Sequence, residues 1–287
     1  MDLLLPAIVS GLLMGMLLAL VALGLAIIFG VMNIVNFAHG EFLMVGMYTA
    51  FLTATVLSIE PLLTLPVAAL VGLILGVASY YLLVRHLLRG PMLAQLLGTF
   101  GLMIFLRYLA LFIFGPDYKT LENGLLIGKS IKLGTIVLSY SRLGTAILSV
   151  IFFVIIYWLI NYTRLGMALK ATALDVEAAG YMGIDTEKMR GLAWGLGGAT
   201  VGIAGALLTN FYYVFPTVGI LFVMIAFATV ALGGFGSIKG AFIAGLIMGL
   251  IIDLGGTFVG PHHKFALIYL TFFLVVVFRP QGLFGWQ

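Results

Sequence analysis

The sequence predicts an all-α fold: a polytopic helical membrane protein. Three observations predict it. The first is composition. Of 287 residues, 63% are apolar and 8% charged, against roughly 25% charged in ordinary soluble domains. The second is where the charge is missing. No Asp, Glu, Lys or Arg lies between Asp2 and Glu41. The third is the number of predominantly apolar stretches long enough to cross a bilayer, which takes about 20 helical residues.

These stretches lie near 4–29, 42–59, 65–84, 92–114, 143–161, 191–212, 217–235, 241–259 and 265–278. The last is short, 42–59 reads as part re-entrant, and Pro216 divides the long apolar run 191–235. Pro6, Pro61, Pro66, Pro91, Pro116, Pro216, Pro261 and Pro280 all fall at or near proposed ends, where a missing N–H costs little. Tyr80-Tyr81, Tyr157-Trp158, Tyr162, Tyr212-Tyr213 and Trp286 fall near interfaces, as amphipathic rings prefer. The 37 glycines, in pairs such as Gly11/Gly15, Gly72/Gly76, Gly198/Gly202 and Gly245/Gly249, imply close helix approach and locally irregular backbone.

Nine spans put the two termini on opposite sides. With the N-terminus outside, Arg85, Arg89, Arg164, Lys170, Lys188, Arg190, Lys239 and Arg279 face the cytoplasm, as the positive-inside rule asks. The loop 115–142 then lies outside and breaks the pattern with Lys119, Lys129, Lys132 and Arg142. Its alternating stretches Ser130–Leu133 and Thr135–Leu138 predict a small external β-hairpin. The other long polar segment, 162–190, carries Met167, Leu169, Leu174, Ala178, Ala179 and Met182 at helix-like spacing. It reads as a short amphipathic helix at the membrane surface or as a plain solvated connection.

The residues most able to carry function are Asn33, Asn36, His39, Gly40 and Glu41. Polar groups at such depth are costly and mark pathways or water-filled cavities. Two readings stay open. In one, a broken helix end turns these groups toward a substrate pathway. In the other, a helix simply stops at the interface, with Gly40 as its left-handed cap and Glu41 in water. Arg107 and Asp253 read as interface residues that snorkel, and an Arg107–Asp253 pair is open.

Other chemistry is excluded. The net charge of +4 is spread over loops, which argues against nucleic-acid binding, and there is no cysteine. His262-His263 lack partners at metal-ligand spacing, so no metal site is expected. There is no nucleophile motif and no phosphate loop. Gly233-Gly-Phe-Gly-Ser-Ile-Lys-Gly240 follows an apolar span rather than a strand, which rules out a nucleotide-binding turn. An intramembrane enzyme is therefore not expected. If ATP drives transport, another subunit must bind it.

Four segments resemble one family. Asn36-Phe-Ala-His-Gly-Glu-Phe42 with Gly46 resembles the signature of LivH-type permease subunits of branched-chain amino acid ABC importers. Leu169-Lys-Ala-Thr172 with Glu177-Ala-Ala-Gly-Tyr-Met-Gly183 resembles that family's cytoplasmic loop, which docks on the ATPase. Gly233–Gly240 and Phe278-Arg-Pro-Gln-Gly-Leu-Phe-Gly285 match its late turn and its ending.

The resemblance implies a single transmembrane permease domain over 1–287 in a bacterial inner membrane. It implies about eight spans, so one of the nine should be merged, broken or re-entrant, with 42–59 or 191–235 responsible and one terminus moved across the membrane. It also implies partners: a second, related permease, two cytoplasmic ATPase subunits that hold ATP and magnesium, and a periplasmic substrate-binding protein. No cofactor is expected in this chain. The coupling residues would be Asp175, Glu177, Ala178, Ala179, Gly180, Gly183 and Ile184. The substrate would be a branched-chain or related neutral amino acid. Urea or short amides, or a stand-alone carrier or channel, are the alternatives.

Overall fold

The computed structural model describes residues 3–122, 124–133 and 136–285. Asp2, Thr135 and Trp286, used above, lie outside them. The chain opens with α1, Leu4–Met32, a helix of 29 residues. At 1.5 Å per residue it is about 43 Å long, more than a bilayer core needs. It stops because Asn33 turns left-handed (φ 52°) and donates its N–H to the Phe29 carbonyl at 2.8 Å. α2 is His39–Leu57. A 3-10 turn, Pro61–Thr64, leads into α3, Leu65–Ser79. α3 runs through a π turn, Tyr80–Val84, into the short α4, Arg85–Leu87.

α5 is Met92–Phe114, started by Pro91 and ended by Gly115 at φ 73°. The hairpin follows, with β1 Ser130–Leu133 paired antiparallel to β2 Ile136–Ser139, Ser130 opposite Ser139. Next come α6, Tyr140–Tyr162, and two surface helices, α7, Arg164–Leu174, and α8, Val176–Tyr181. The last four are α9, Thr186–Leu208; α10, Val218–Gly233; α11, Ile238–Phe258; and α12, Lys264–Phe278.

Among the described residues eight helices are long and apolar enough to span a membrane, and α10, with 16 residues, is the shorter ninth. Contacts place their ends. Arg85 pairs with Glu187, which puts the end of α4 beside the start of α9. Phe29 packs at a tilt on Phe235, and the N–H groups of Leu283 and Phe284 bond the carbonyls of Leu232 and Gly233. The end of α1, the end of α10 and the C-terminal segment thus share the α7–α8 side. Arg142 bonds Ser10 and lies over the Phe211 ring, and Lys119 pairs with Val214. The start of α1 therefore lies on the opposite, hairpin side. The start of α1 and the segment 283–285 thus lie on opposite sides of the bundle. The short helix is α10; the span 42–59 lies in α2, which begins inside the bundle after residues 33–38 turn back, as the part re-entrant reading expects.

Glycine seams hold the bundle. Cβ atoms at Gly11 and Gly15 of α1 would strike the backbone of α11 at Gly249 and Leu246, and one at Gly249 would strike Gly15. Gly72 and Gly76 of α3 meet Gly198 and Gly195 of α9 in the same manner. α1 is to α11 as α9 is to α3, but α1 runs toward the α7–α8 side and α9 away from it. Each of the two is followed by an irregular segment and then by a helix that starts inside the protein. This is an inverted repeat, and it brings the starts of α2 and α10 together.

Candidate functional site

The site is the junction where α2 begins. After Asn33 the chain turns back along α5. The Thr99 hydroxyl bonds the Val35 carbonyl at 3.1 Å, and Phe37 meets Phe100 edge-on at 6.2 Å. The α2 helix starts beside Val21, whose carbonyl lies 2.9 Å from His39 Nε2. Val21 precedes the end of α1 by about 16 Å, at 1.5 Å per residue. The first turn of α2 therefore sits near the membrane middle.

Local chemistry explains why it can start there. Asn36 Oδ1 accepts the N–H of Ala38 at 3.0 Å, an Asx turn that occupies one free donor of the helix start. Gly40 lies in the first turn of α2, so the reading of Gly40 as a left-handed cap is corrected: that role belongs to Asn33. Gly40 is glycine because a Cβ would collide with the Gly219 carbonyl oxygen of α10 and lie 2.8 Å from Val223.

Asn36, His39 and Glu41 are fully buried. Glu41 Oε1 accepts two hydrogen bonds from Arg107 of α5, at 2.6 Å from Nη2 and 3.1 Å from Nε. The Glu41 side chain is 1% exposed and that of Arg107 16%. Arg107 is therefore not a snorkelling interface residue. It lies about 22 Å along α5 from Met92, and its partner is Glu41, not Asp253. Sequence spacing could not find this, because 66 residues separate the pair. Burying two charges is expensive unless each is paired and hydrogen-bonded, and this pair shares one oxygen. Among the described residues Glu41 Oε2, His39 Nδ1 and Asn36 Nδ2 have no hydrogen-bond partner.

The structure thus brings Asn36, His39, Gly40 and Glu41 together and leaves Asn33 apart, exposed on the α7–α8 side. Aromatic layers flank the ion pair. On the α7–α8 side Phe37 bridges Phe100 of α5 and Phe227 of α10. On the hairpin side Tyr48 stacks on Phe114 at 4.1 Å. A separate cleft of about 440 Å³ opens on the hairpin side, lined by Ser58, Glu60, Thr120 and Glu122 among others. It does not touch the buried cluster.

The second predicted group forms α8 and its flanks. Asp175 Oδ1 accepts the N–H groups of Glu177 and Ala178 at 2.9 and 3.0 Å, which caps α8. Gly183 ends it at φ 82°, letting the Ile184 N–H return to the Ala179 carbonyl at 3.1 Å. The segment is two helices rather than one. Asp175, Glu177, Ala178, Gly180 and Gly183 are exposed, and Ile184 is half-buried. Ala179 is 4% exposed and packs inward, which corrects its place on the predicted docking surface. The outward apolar groups are Leu174, Tyr181 and Met182. Asp185 then caps α9 through Lys188 N–H. The Lys188 side chain, first, and its N–H, second, hold the Asp185 carboxyl below the usual range. Among the described residues no group of three His, Cys, Asp or Glu could hold a metal.

Helices that start at the membrane middle, an ion pair there, and a capped surface helix on one face define a transport permease. The profile of the family described as "Branched-chain amino acid transport system / permease component" matches residues 7–278, and the chain belongs to that family. It is 31% identical to the high-affinity branched-chain amino acid transport system permease protein BraD of Pseudomonas aeruginosa, over 98% of this chain and 95% of the relative. It is equally 31% identical to the corresponding LivH of Escherichia coli K12, over 96% and 94%. No solved structure matches. The chain is a multi-pass transport subunit, not an enzyme, and a bacterial inner membrane fits its LivH relatives. Membership implies ATPase and binding-protein partners.

Proposed function

We propose that this chain is one permease half of an importer for branched-chain or related neutral amino acids. The observation that carries the reading is the junction of α2, α5 and α10, where two helices begin and a charged pair sits at mid-membrane depth. Helix starts at that depth expose backbone donors and side chains to whatever passes. Asn36, His39, Gly40 and Glu41 are proposed to line or gate the route, with Asn33 at its α7–α8 mouth. The names of BraD and LivH supply the substrate class.

The chain would work beside a second, related permease subunit. Two ATPases would bind ATP and magnesium and dock on α8 through Asp175, Glu177, Ala178, Gly180, Gly183 and Ile184, with Ala179 holding α8 to the bundle. The exposed Leu174, Tyr181 and Met182 support this reading, since contiguous exposed apolar groups on a soluble face mark partner sites. With that face cytoplasmic, eight of the 14 basic residues lie inside: Arg85, Arg89, Arg164, Lys170, Lys188, Arg190, Lys239 and Arg279.

The test is uptake by the reconstituted complex in vesicles. Leucine, isoleucine and valine should accumulate only with ATP and the binding protein present. Uptake of urea in their place, or leucine uptake without ATP, would defeat the reading.

A further inference from the structure

We infer that Glu41 and Arg107 form a zwitterion-exchange filter: the pair opens only to a molecule that brings one positive and one negative group, taking the ammonium on Glu41 and the carboxylate on Arg107. The inference rests on the amino-acid reading above and deepens it, adding Arg107 as a residue that determines specificity.

The geometry points here in three ways. First, the pair is sealed yet reachable. Glu41 is 1% exposed, while Arg107 keeps 16% of its side chain accessible. Arg107 is thus the more accessible member of the pair. Second, the carboxylate is only half used. Both Arg107 bonds go to Oε1, and Oε2 has no partner among the described residues. That oxygen faces the first turn of α10: a Cβ at Gly219 would lie 2.7 Å from it. At rest the tight α2–α10 contact covers that oxygen, so a donor reaches this unused acceptor only once the two helices separate. Third, aromatic side chains bracket the pair on both sides. Phe37, Phe100 and Phe227 close one side, and Tyr48 with Phe114 closes the other.

In such apolar surroundings an unpaired charge is far costlier than a paired one. If Arg107 leaves Glu41 with nothing in its place, two charges are stranded. A neutral amide cannot relieve either, and a lone cation or anion relieves one. An α-amino acid relieves both, because its ammonium replaces the guanidinium on Glu41 while its carboxylate pairs with Arg107. Arginine suits the second task, since its planar fork accepts a carboxylate through two parallel bonds. The exchange keeps the number of buried charges balanced at every step. The pair holds the route shut at rest and lets it open to one charge pattern. The aliphatic side chain can lie along the aromatic layers without being read closely, which fits a permease whose binding protein selects the side chain.

The experiment uses the full complex of both permease subunits, ATPases and loaded binding protein in vesicles, scored for leucine uptake and for co-purification of the ATPases. Glu41→Gln and Arg107→Gln singly should each lower uptake at least tenfold. Arg107→Lys, which keeps the charge, should retain a measurable part. The decisive variant is the double change Glu41→Gln with Arg107→Gln. It replaces two charges by two neutral amides, shorter at position 107, so a pair that served only packing would be replaced with little loss of uptake. The expected result is an assembled complex with uptake still down tenfold or more. Leucine uptake at the unmodified rate by that double variant overturns the filter and leaves the amino-acid reading standing. Urea or short-amide uptake by the unmodified complex, with no leucine uptake, overturns both. If the double variant fails to assemble, the reversed pair Glu41→Arg with Arg107→Glu decides. Uptake above that of either single variant supports the filter, and uptake no better than theirs rejects it.

Discussion

Gly40 of α2 and Gly219 of α10 meet backbone to backbone, each occupying the space a Cβ of the other would need. The contact joins the two halves of the inverted repeat at the depth where both helices begin. Small residues let membrane helices approach this closely, and dispersion forces then hold them.

The first prediction follows from that contact. Gly40→Ala and Gly219→Ala each force the helices apart, at a cost of about 1–3 kcal/mol for an overpacked site. Gly40→Val should cost more, because its Cβ already meets the Gly219 carbonyl and the branch adds bulk toward Val223. Thermal melting in detergent should show the order native, alanine, valine. A valine variant that melts with the native protein contradicts the contact.

A second prediction separates glycines that pack from glycines that do not. Gly72 and Gly249 lie on the α3–α9 and α1–α11 seams, while a Cβ at Gly101 or Gly256 would have no atom of the described residues within 4 Å. Gly72→Ala and Gly249→Ala should lower the melting temperature. Gly101→Ala and Gly256→Ala should leave it unchanged or raise it, since alanine in a helix gains roughly 0.5–1 kcal/mol over glycine. Equal loss in all four would mean that the seams do not exist.

How much of this was legible in the sequence depends on the range of the interaction. Local rules located the helices well: Pro91 starts α5, Pro216 precedes α10, and the alternation near Ser130 is a hairpin. The cluster from Asn36 to Glu41 was visible because polar groups after a long apolar run have few innocent explanations. What stayed hidden was long-range. Arg107 looked like an interface residue until the re-entry of residues 33–38 carried Glu41 down beside it. The cap reading of Gly40 stayed open beside the pathway reading because Asn33, seven residues earlier, can also take a positive φ. Asn and Gly compete for that role locally, and only the packing against Gly219 distinguishes them. Ala179 was misread for a similar reason: periodicity gives a face, but not which neighbour the face meets.

The third prediction concerns orientation. A cysteine replacing Asp175 and one replacing Lys129 lie on exposed positions at opposite ends of the bundle. The chain has no native cysteine, so no background labelling arises. An impermeant maleimide added to intact cells should modify the position at 129 and not that at 175; inverted vesicles should give the reverse. Modification of both from one face would refute the arrangement of ends described above.

The last prediction concerns coupling to the ATPase. Tyr181 and Met182 are 88% and 82% exposed at the end of α8. They hold nothing together within this chain, so their loss should not affect folding. Tyr181→Glu and Met182→Glu place a charge where an apolar partner surface is proposed, and each should reduce ATPase co-purification and uptake together while the melting temperature of the isolated permease stays within a few degrees. Ala179→Arg should behave differently. Its side chain points into the bundle, so an arginine there would disturb α8 itself and lower the melting temperature as well. Gly183 supplies a graded control. It stands at φ 82° with open space around it, so conformation and not contact limits replacement. Asparagine tolerates the left-handed region, whereas a β-branched residue pays at least the roughly 1–2 kcal/mol that this region costs an L-residue. Gly183→Asn should therefore keep most uptake and Gly183→Val should lose most of it. Full uptake and normal ATPase capture by Tyr181→Glu and Met182→Glu would remove this end of α8 from the coupling surface.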